Sequence, residues 1–303
     1  MPVPHHQTIT FLTKRFREAG IRISRRHGQN FLIDLNLQRL IINAAEITDR
    51  DVVLEVGTGT GALTALIAER AKAVVTVEID PHLYQLASEE LIDFQNVTML
   101  RQDALKNKNH FDQGVLDAVA ARLAEDSQSQ FKLVANLPYN IATPVLSNLL
   151  SGPVLPTSMT ATIQKELAER IVARPGTKDY SALSVWMQSQ CRVEIVRVLP
   201  SSVFWPAPKV TSAIVKIEPD ATLRQRIPDL PFFKQFVRSM FFHRRKFLRR
   251  VVIGAAGDQF TKEDVDRLLE KLKLEPQGRA EQLSVEQIIE LSEEVRQASD
   301  KSS

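Results

Sequence analysis

Asn136-Leu137-Pro138-Tyr139 places two carbonyl acceptors and one flat ring within four residues. Asn136 accepts through its amide oxygen, and Pro138 holds the turn extended so that the Leu137 carbonyl can face the same site. Two acceptors converging on an NH2 group suit an exocyclic amine, and they favour the pyramidal nitrogen whose lone pair is freed from the ring. Tyr139 offers a face for a base taken out of its helix. Standing alone, such a tetrapeptide reads as an Asn-Pro type of turn. Its neighbours in the sequence decide otherwise.

The first neighbour is Glu55-Val56-Gly57-Thr58-Gly59-Thr60-Gly61. Glycines between a strand and a helix permit tight positive-φ geometry, and they let a ligand approach the backbone beside a helix N-terminus. No Gly-Lys-Ser/Thr follows, so this is not a phosphate-binding P-loop. Read as Gly57, Gly59 and Ala62, it fits the dinucleotide pattern, and an NAD-dependent oxidoreductase remains open. Glu78 lies 21 residues after Gly57, where a carboxylate accepts from both hydroxyls of a ribose. That geometry serves any adenosine-bearing cofactor. Asp103, in Gln102-Asp103-Ala104, is placed to accept from an adenine amino group; taken singly it is equally a helix cap or loop residue.

Each of these residues needs a strand end to carry it. From Asp51 the chain alternates β-branched runs with helical patterns, the mark of βαβ units around a parallel sheet. Strands are predicted at 51–56, 73–79, 97–103, 131–137 and 159–164, with helices at 62–71 and 165–173. Pro81 opens a further helix at its first position. Residues 106–130 read as a polar surface excursion with one amphipathic stretch at 115–123. Segments 191–199 and 212–217 alternate like partners of an antiparallel pair. Beyond Pro219 only helical periodicity remains, as at 263–272 and 285–295. The predicted fold class is α/β, a Rossmann-like domain over 1–219 with a basic N-terminal extension, followed by a small all-helical domain over 220–303.

The 303 residues are 44% apolar and 25% charged, a globular balance that excludes wholesale disorder. No apolar run approaches the ~18 residues that span a bilayer, and the polar, then basic, start at 1–16 has no signal-peptide core. The expectation is a soluble, cytoplasmic protein with no membrane partner. The one cysteine, Cys191, allows no internal disulfide or cysteine-based zinc site. It reads as a buried, inert thiol. His5, His6 and His27 match no standard metal spacing, so no metal is expected.

A formal charge of +3 conceals a split. Residues 1–40 carry a net +5, residues 231–250 carry +7 with no acid among them, and the remainder carries −9. Charge gathered in this way implies a polyanionic partner that meets two surfaces. The run Phe241-Phe242-His243-Arg244-Arg245-Lys246-Phe247-Leu248-Arg249-Arg250 mixes aromatics with bases. A merely solvated helix face would intersperse acids as i,i+4 partners. None occurs, so Arg244, Arg245, Lys246, Arg249 and Arg250 read as phosphate-binding, and the phenylalanines as core. The N-terminal cluster, with Arg25 and Arg26, flanks Asn30 and is expected near the mouth of the ligand site.

Taken in order, these motifs resemble those of the ribosomal RNA adenine N6-dimethyltransferases, and most closely their small-subunit branch. The match covers nearly the whole chain. Besides the segments above, it includes Gly28-Gln29-Asn30-Phe31-Leu32, Val77-Glu78, Phe204-Trp205-Pro206-Ala207-Pro208-Lys209-Val210 and Arg279-Ala280-Glu281-Gln282-Leu283-Ser284. The resemblance implies a Rossmann-like S-adenosylmethionine-dependent methyltransferase domain with a helical, RNA-binding C-terminal domain. It implies S-adenosyl-L-methionine held by Asn30, Leu32, Gly57, Glu78, Asp103 and Asn136, with Glu78 on the ribose and Asp103 on the adenine. Asn136 and the Leu137 carbonyl, in the turn set by Pro138, would hold the target amine, and Tyr139 and Phe204 would stack on its ring.

The implied reaction is N6,N6-dimethylation of two adjacent adenosines in a 3′-terminal hairpin of small-subunit (16S) rRNA, within a pre-ribosomal small subunit, by a monomer. A sulfonium is already a good electrophile, so the transfer needs positioning and no general base. Two departures stand out: Thr58 where proline is common in the family, and a long 106–130 segment. The alternatives are the sister activity on large-subunit rRNA, disfavoured by the match at 279–284, and a mainly non-catalytic assembly factor, disfavoured by the intact 136–139. An oxidoreductase gives the basic clusters no role.

Overall fold

The computed structural model describes residues 9–18, 20–21, 29–243, 246–256 and 260–302. Arg25, Arg26, Arg244, Arg245, Gly28 and the three histidines at 5, 6 and 27 lie outside them. The chain divides into two compact units: Met1–Ala168 with Glu194–Glu218, and Glu169–Val193 with Pro219–Ser303.

The first unit is built on a seven-stranded sheet. Its strands are β1 (Asp51–Val56), β2 (Ala73–Glu78), β3 (Val97–Arg101), β4 (Gln130–Asn136), β5 (Ser158–Gln164), β6 (Cys191–Leu199) and β7 (Ser212–Pro219). The order across the sheet is β3-β2-β1-β4-β5-β7-β6. Strands β3 through β5 run parallel, and β7 joins β5 antiparallel. Every residue of β1 and β2 is buried, as expected where helices cover both faces of a parallel sheet. This order departs from the 3-2-1-4-5-6 arrangement of dinucleotide-binding sheets through the antiparallel β7.

Six helices accompany these strands: α1 (Ile9–Glu18), α2 (Leu35–Ala45), α3 (Ala62–Ala68), α4 (Pro81–Glu90), α5 (Gln113–Ala124) and α6 (Ala142–Leu149). Ile41 and Ile42 of α2 and Ile67 of α3 pack with Val53, Val74, Val134 and Ile214 of the sheet into one core. The Asp80 side chain caps α4 by accepting from the His82 and Leu83 amides at 2.9 and 3.2 Å, with Pro81 at the first position.

The segment predicted as a surface excursion is instead structural. After a hairpin of Leu105–Asn107 with His110–Phe111, α5 buries Val115 and Val119 against β1, β2 and β4. A chain leaving β3 must cross over the sheet to re-enter in parallel as β4. Its polarity belongs to the outward face of that crossover.

The second unit is helical: α7 (Lys165–Ile171) leads into it, followed by α8 (Ala182–Gln188), α9 (Ala221–Arg224), α10 (Leu230–Phe242), α11 (Leu248–Ala256), α12 (Lys262–Lys271) and α13 (Val285–Ser302). Helix α10 packs on α8, α11 and α13. Phe241 meets buried Tyr180 edge-on, with ring centroids 5.9 Å apart. Burial pushes the Cys191 thiol up to about 12, which leaves it uncharged and unreactive at neutral pH.

Candidate active site

A single cleft at the C-terminal ends of β1, β2, β3 and β4 is lined by Asn30, Leu32, Gly57, Glu78, Asp103, Asn136, Leu137, Pro138 and Tyr139. Nine of the ten residues that the sequence nominated for cofactor and target thus share one space, at the edge where open α/β sheets bind ligands.

The glycine turn makes the assembly possible. Gly57 has φ +90° and Gly59 +58°, values that side chains other than glycine's rarely tolerate. A Cβ on Gly57 would sit 3.3 Å from Cδ and Cγ of Pro138, so the glycine turn and the 136–139 turn are in direct contact. The Gly57 amide donates to the Val77 carbonyl at 2.9 Å. The Gly59 amide donates to Glu78 Oε2 at 2.9 Å, and the Asp80 amide donates to Glu78 Oε1 at the same distance. Burial raises the Glu78 carboxyl above its ordinary range, and the two backbone amides pull against that rise. Glu78 is therefore held rigidly at the strand end, each oxygen keeping acceptor capacity for a hydroxyl.

Beneath the turn lies a buried network that motif reading did not single out. Glu55 Oε2 accepts from Thr64 Oγ1 at 2.5 Å and from Thr76 Oγ1 at 2.7 Å, and Thr58 and Thr76 share a 2.7 Å hydroxyl contact. Burial lifts the Glu55 carboxyl to about 8, so it is mostly protonated at neutral pH. The signal in the sequence was an acid inside the apolar run of β1. It also accounts for Thr58, whose hydroxyl has a partner there.

Asp103 lies two residues beyond β3. Its Oδ1 accepts from the Leu105 amide at 2.9 Å, so it both braces its loop and faces the cleft. The two readings of this residue coexist.

At the end of β4, Asn136 Nδ2 donates to the Asn30 carbonyl at 2.9 Å. With the NH2 group turned that way, Oδ1 is the end of the amide left to accept from a ligand. The Leu137 amide donates to the Thr162 carbonyl at 3.2 Å, and the Ile141 amide to the Pro138 carbonyl at 3.1 Å, which fixes the turn at both ends. The Tyr139 hydroxyl pairs with Ser212 Oγ at 2.5 Å. Burial raises the phenol above its ordinary range, so Tyr139 remains neutral and is no proton acceptor at physiological pH.

Phe204 is the exception among the target residues. It is 2% exposed and packs in the core beside Leu32 and Val134, and it is not among the residues lining the cleft. The cause is strand alternation. Phe31–Leu32 pairs with Phe204–Trp205 in a short antiparallel ribbon, and successive side chains take opposite faces. Leu32 and Phe204 turn into the core, while Phe31 and Trp205 turn to Phe16 of α1, at 5.2 and 5.5 Å between centroids.

Of the residues nominated for RNA, Lys246, Arg249 and Arg250 are described, all in the helical unit. Arg249 Nε reaches Asp266 Oδ1 at 2.5 Å, and Arg250 is exposed. The expectation that the phenylalanines of this run are core holds for Phe241 alone: Phe242 is 76% and Phe247 57% exposed.

The residues that line the cleft include acids and no Lys, Arg or His, which suits cationic S-adenosylmethionine. Carboxylates at Glu78 and Asp103 match its ribose hydroxyls, adenine amine and positive sulfonium. Glycine at 59, where a Cβ would meet Phe31 at 3.3 Å, keeps the wall of the cleft flat. When bound there, the cofactor supplies a methyl group on an electrophilic sulfur. The chain's own residues bind and orient.

Fold and cleft define a Rossmann-like, S-adenosylmethionine-dependent methyltransferase. A model of the family described as ribosomal RNA adenine dimethylase matches residues 20–297, and the chain belongs to that family. It is 39% identical over 284 residues to the ribosomal RNA small subunit methyltransferase A of Lactiplantibacillus plantarum, covering 92% of each chain. It is 41% identical over 270 residues to that of Levilactobacillus brevis, covering 88% of this chain and 87% of the relative. Among solved structures, a dimethyladenosine transferase from Plasmodium falciparum superposes with TM-score 0.72 at 26% identity, covering 87% of this chain and 96% of that one. The 23S rRNA methyltransferase ErmE shares the fold, with TM-score 0.61 at 24% identity over 88% of this chain and all of that one.

Proposed function

We propose that this enzyme transfers methyl groups from S-adenosylmethionine to N6 of adenosine in small-subunit ribosomal RNA, two to each of two adjacent adenosines in a 3′-terminal hairpin. The carrying observation is the bond from Asn136 Nδ2 to the Asn30 carbonyl, which orients the amide oxygen as an acceptor in the cleft that holds Glu78. The small-subunit assignment draws on the names of the relatives in Lactiplantibacillus plantarum and Levilactobacillus brevis.

In this reading Glu78 holds the ribose and Asp103 the adenine, while Asn30, Leu32 and Gly57 complete the cofactor wall. Asn136 Oδ1 and the Leu137 carbonyl accept from the target amine, and Tyr139, tethered through Ser212, stacks on the flipped base. Phe204 supports the floor through Leu32. Two acceptors on one NH2 group draw its lone pair out of conjugation and towards the methyl carbon. The N–C bond forms as the S–CH3 bond breaks to a neutral thioether, and the methylated nitrogen then loses its proton to water. Catalysis is therefore orientation, and no protein base is required. Residues 1–219 carry the chemistry. Residues 220–303, with Arg244, Arg245, Lys246, Arg249 and Arg250, hold RNA phosphates, and Arg25 and Arg26 join them in that role. The substrate is a pre-ribosomal small subunit, and the enzyme works as a monomer in the cytoplasm. Among the described residues no helix is long and apolar enough to cross a membrane.

The test is incubation of small subunits lacking the modification with enzyme and S-adenosylmethionine, followed by nucleoside mass spectrometry. N6,N6-dimethyladenosine is expected. Its absence, with folded and cofactor-bound enzyme, refutes the reading.

A further inference from the structure

Helix α10 completes its buried face without Phe242. Phe233, Phe236, Val237, Met240 and Phe241 recur at helical spacing and are all buried, the stripe expected of a helix on a core. Phe242 falls one position beyond that stripe and stands 76% exposed, its ring meeting His243 edge-on with centroids 4.8 Å apart. Five residues later Phe247 is 57% exposed, while Leu248 beside it is buried. The backbone beside each ring is hydrogen-bonded. The Lys246 amide donates to the His243 carbonyl at 3.0 Å, and the Phe247 carbonyl accepts from Arg250 and Val251 at 3.0 and 3.2 Å. Two phenylalanines five residues apart thus stand in water, where burial of either would be worth kilocalories to an ordinary fold.

The charge around them says what covers them. Between 231 and 250 there are seven Lys or Arg and no acid. Within the stretch a docking protein's own basic groups would find no carboxylate, the nearby Asp266 being taken by Arg249, whereas a polyphosphate backbone finds counter-charge. We propose that Phe242 and Phe247 are stacking platforms for unpaired nucleobases of the RNA whose phosphates the neighbouring Lys246 and Arg250 bind. The combination of aromatic faces with a basic track is how proteins hold single-stranded nucleic acid. The inference rests on the RNA-binding reading above and adds to it a preference for loops and unpaired ends over duplex.

Stacking and phosphate contact separate by their response to salt. Neutralised phosphates set the slope of log affinity against log salt, and stacked bases do not. Binding of the full-length protein is measured by fluorescence anisotropy at several salt concentrations. The probes are a hairpin-loop fragment from the 3′ end of small-subunit rRNA and a fully paired duplex of equal length. Phe242→Ala/Phe247→Ala is expected to lose about 10- to 100-fold affinity for the hairpin at each salt, with the wild-type slope and unchanged duplex affinity. Phe242→Trp/Phe247→Trp is expected to restore binding, and Lys246→Gln to flatten the slope instead.

Hairpin affinity within twofold of wild type for the double alanine variant overturns the proposal. So does an equal loss on duplex, or a loss seen only with assembled subunits, which assigns the rings to a protein contact. Wild-type methyl transfer is assayed alongside: its absence counts against the proposed activity, and the anisotropy arms still decide the stacking.

Discussion

The side-chain amide of Asn136 donates to the backbone carbonyl of Asn30, 2.9 Å away and 106 residues earlier. One bond sutures the N-terminal segment to the end of β4 and orients the amide that the proposed function sets against the target amine. Asn136→Asp removes the donor and sets a carboxylate against a carbonyl. The expected result is a fall in kcat of at least about 100-fold, the scale of a lost, preorganised transition-state contact, with cofactor affinity changed much less. Steady-state kinetics with calorimetric titration of S-adenosylmethionine measures both.

Glu78 is gripped by two backbone amides and lies at the strand end where the ribose is assigned. Glu78→Ala is expected to weaken S-adenosylmethionine binding at least tenfold, as loss of charge-assisted hydrogen bonds implies, while RNA affinity stays within about twofold. Calorimetry and RNA anisotropy on the same preparation check it. Parallel loss of both contradicts the separation of the cofactor and RNA surfaces.

Gly57→Ala puts a Cβ at a φ of +90° and 3.3 Å from the Pro138 ring. The conformation costs about 1–3 kcal/mol, and relief by displacing Pro138 moves the 136–139 turn. Thermal unfolding is expected to shift down by several degrees, with activity falling further than stability accounts for.

Glu55 gives a pH dependence with a definite sign. Its carboxyl rises from 4.5 to about 8 on burial, so the folded protein holds a proton that the unfolded chain releases. The contribution to stability is complete below about 4.5 and is lost as pH rises towards 8. Glu55→Gln keeps an acceptor for Thr64 and Thr76 without an ionisable group. It is expected to match wild type near pH 5 and to exceed it near pH 8 in urea unfolding without cofactor.

Much of this was legible in the sequence because strand ends and turn glycines are local signals. Gly57, Glu78, Asp103 and Asn136 could be placed at the ends of β-branched runs, and the five parallel strands followed from the same alternation. What escaped depends on contacts across the fold. The Asn136–Asn30 bond and the Tyr139–Ser212 pair join residues far apart in the chain, and no spacing rule reports them. The resemblance sets Phe204 on the target ring, and only its pairing with Leu32 in the ribbon shows which face the side chain takes. Residues 106–130 read as a polar surface excursion with an amphipathic stretch at 115–123, because the inner face of its helix is marked by little more than Val115 and Val119. Phe242 and Phe247 counted as core by residue type, while the helical phase of α10, set by Phe233 through Phe241, turns Phe242 outward.

The most direct test of the central claim offers unmodified small and large ribosomal subunits in parallel, with radiolabelled S-adenosylmethionine and nuclease digestion to nucleosides. The account predicts label in N6,N6-dimethyladenosine from the small subunit alone. Label confined to the large subunit, or none in either with cofactor-bound enzyme, contradicts it.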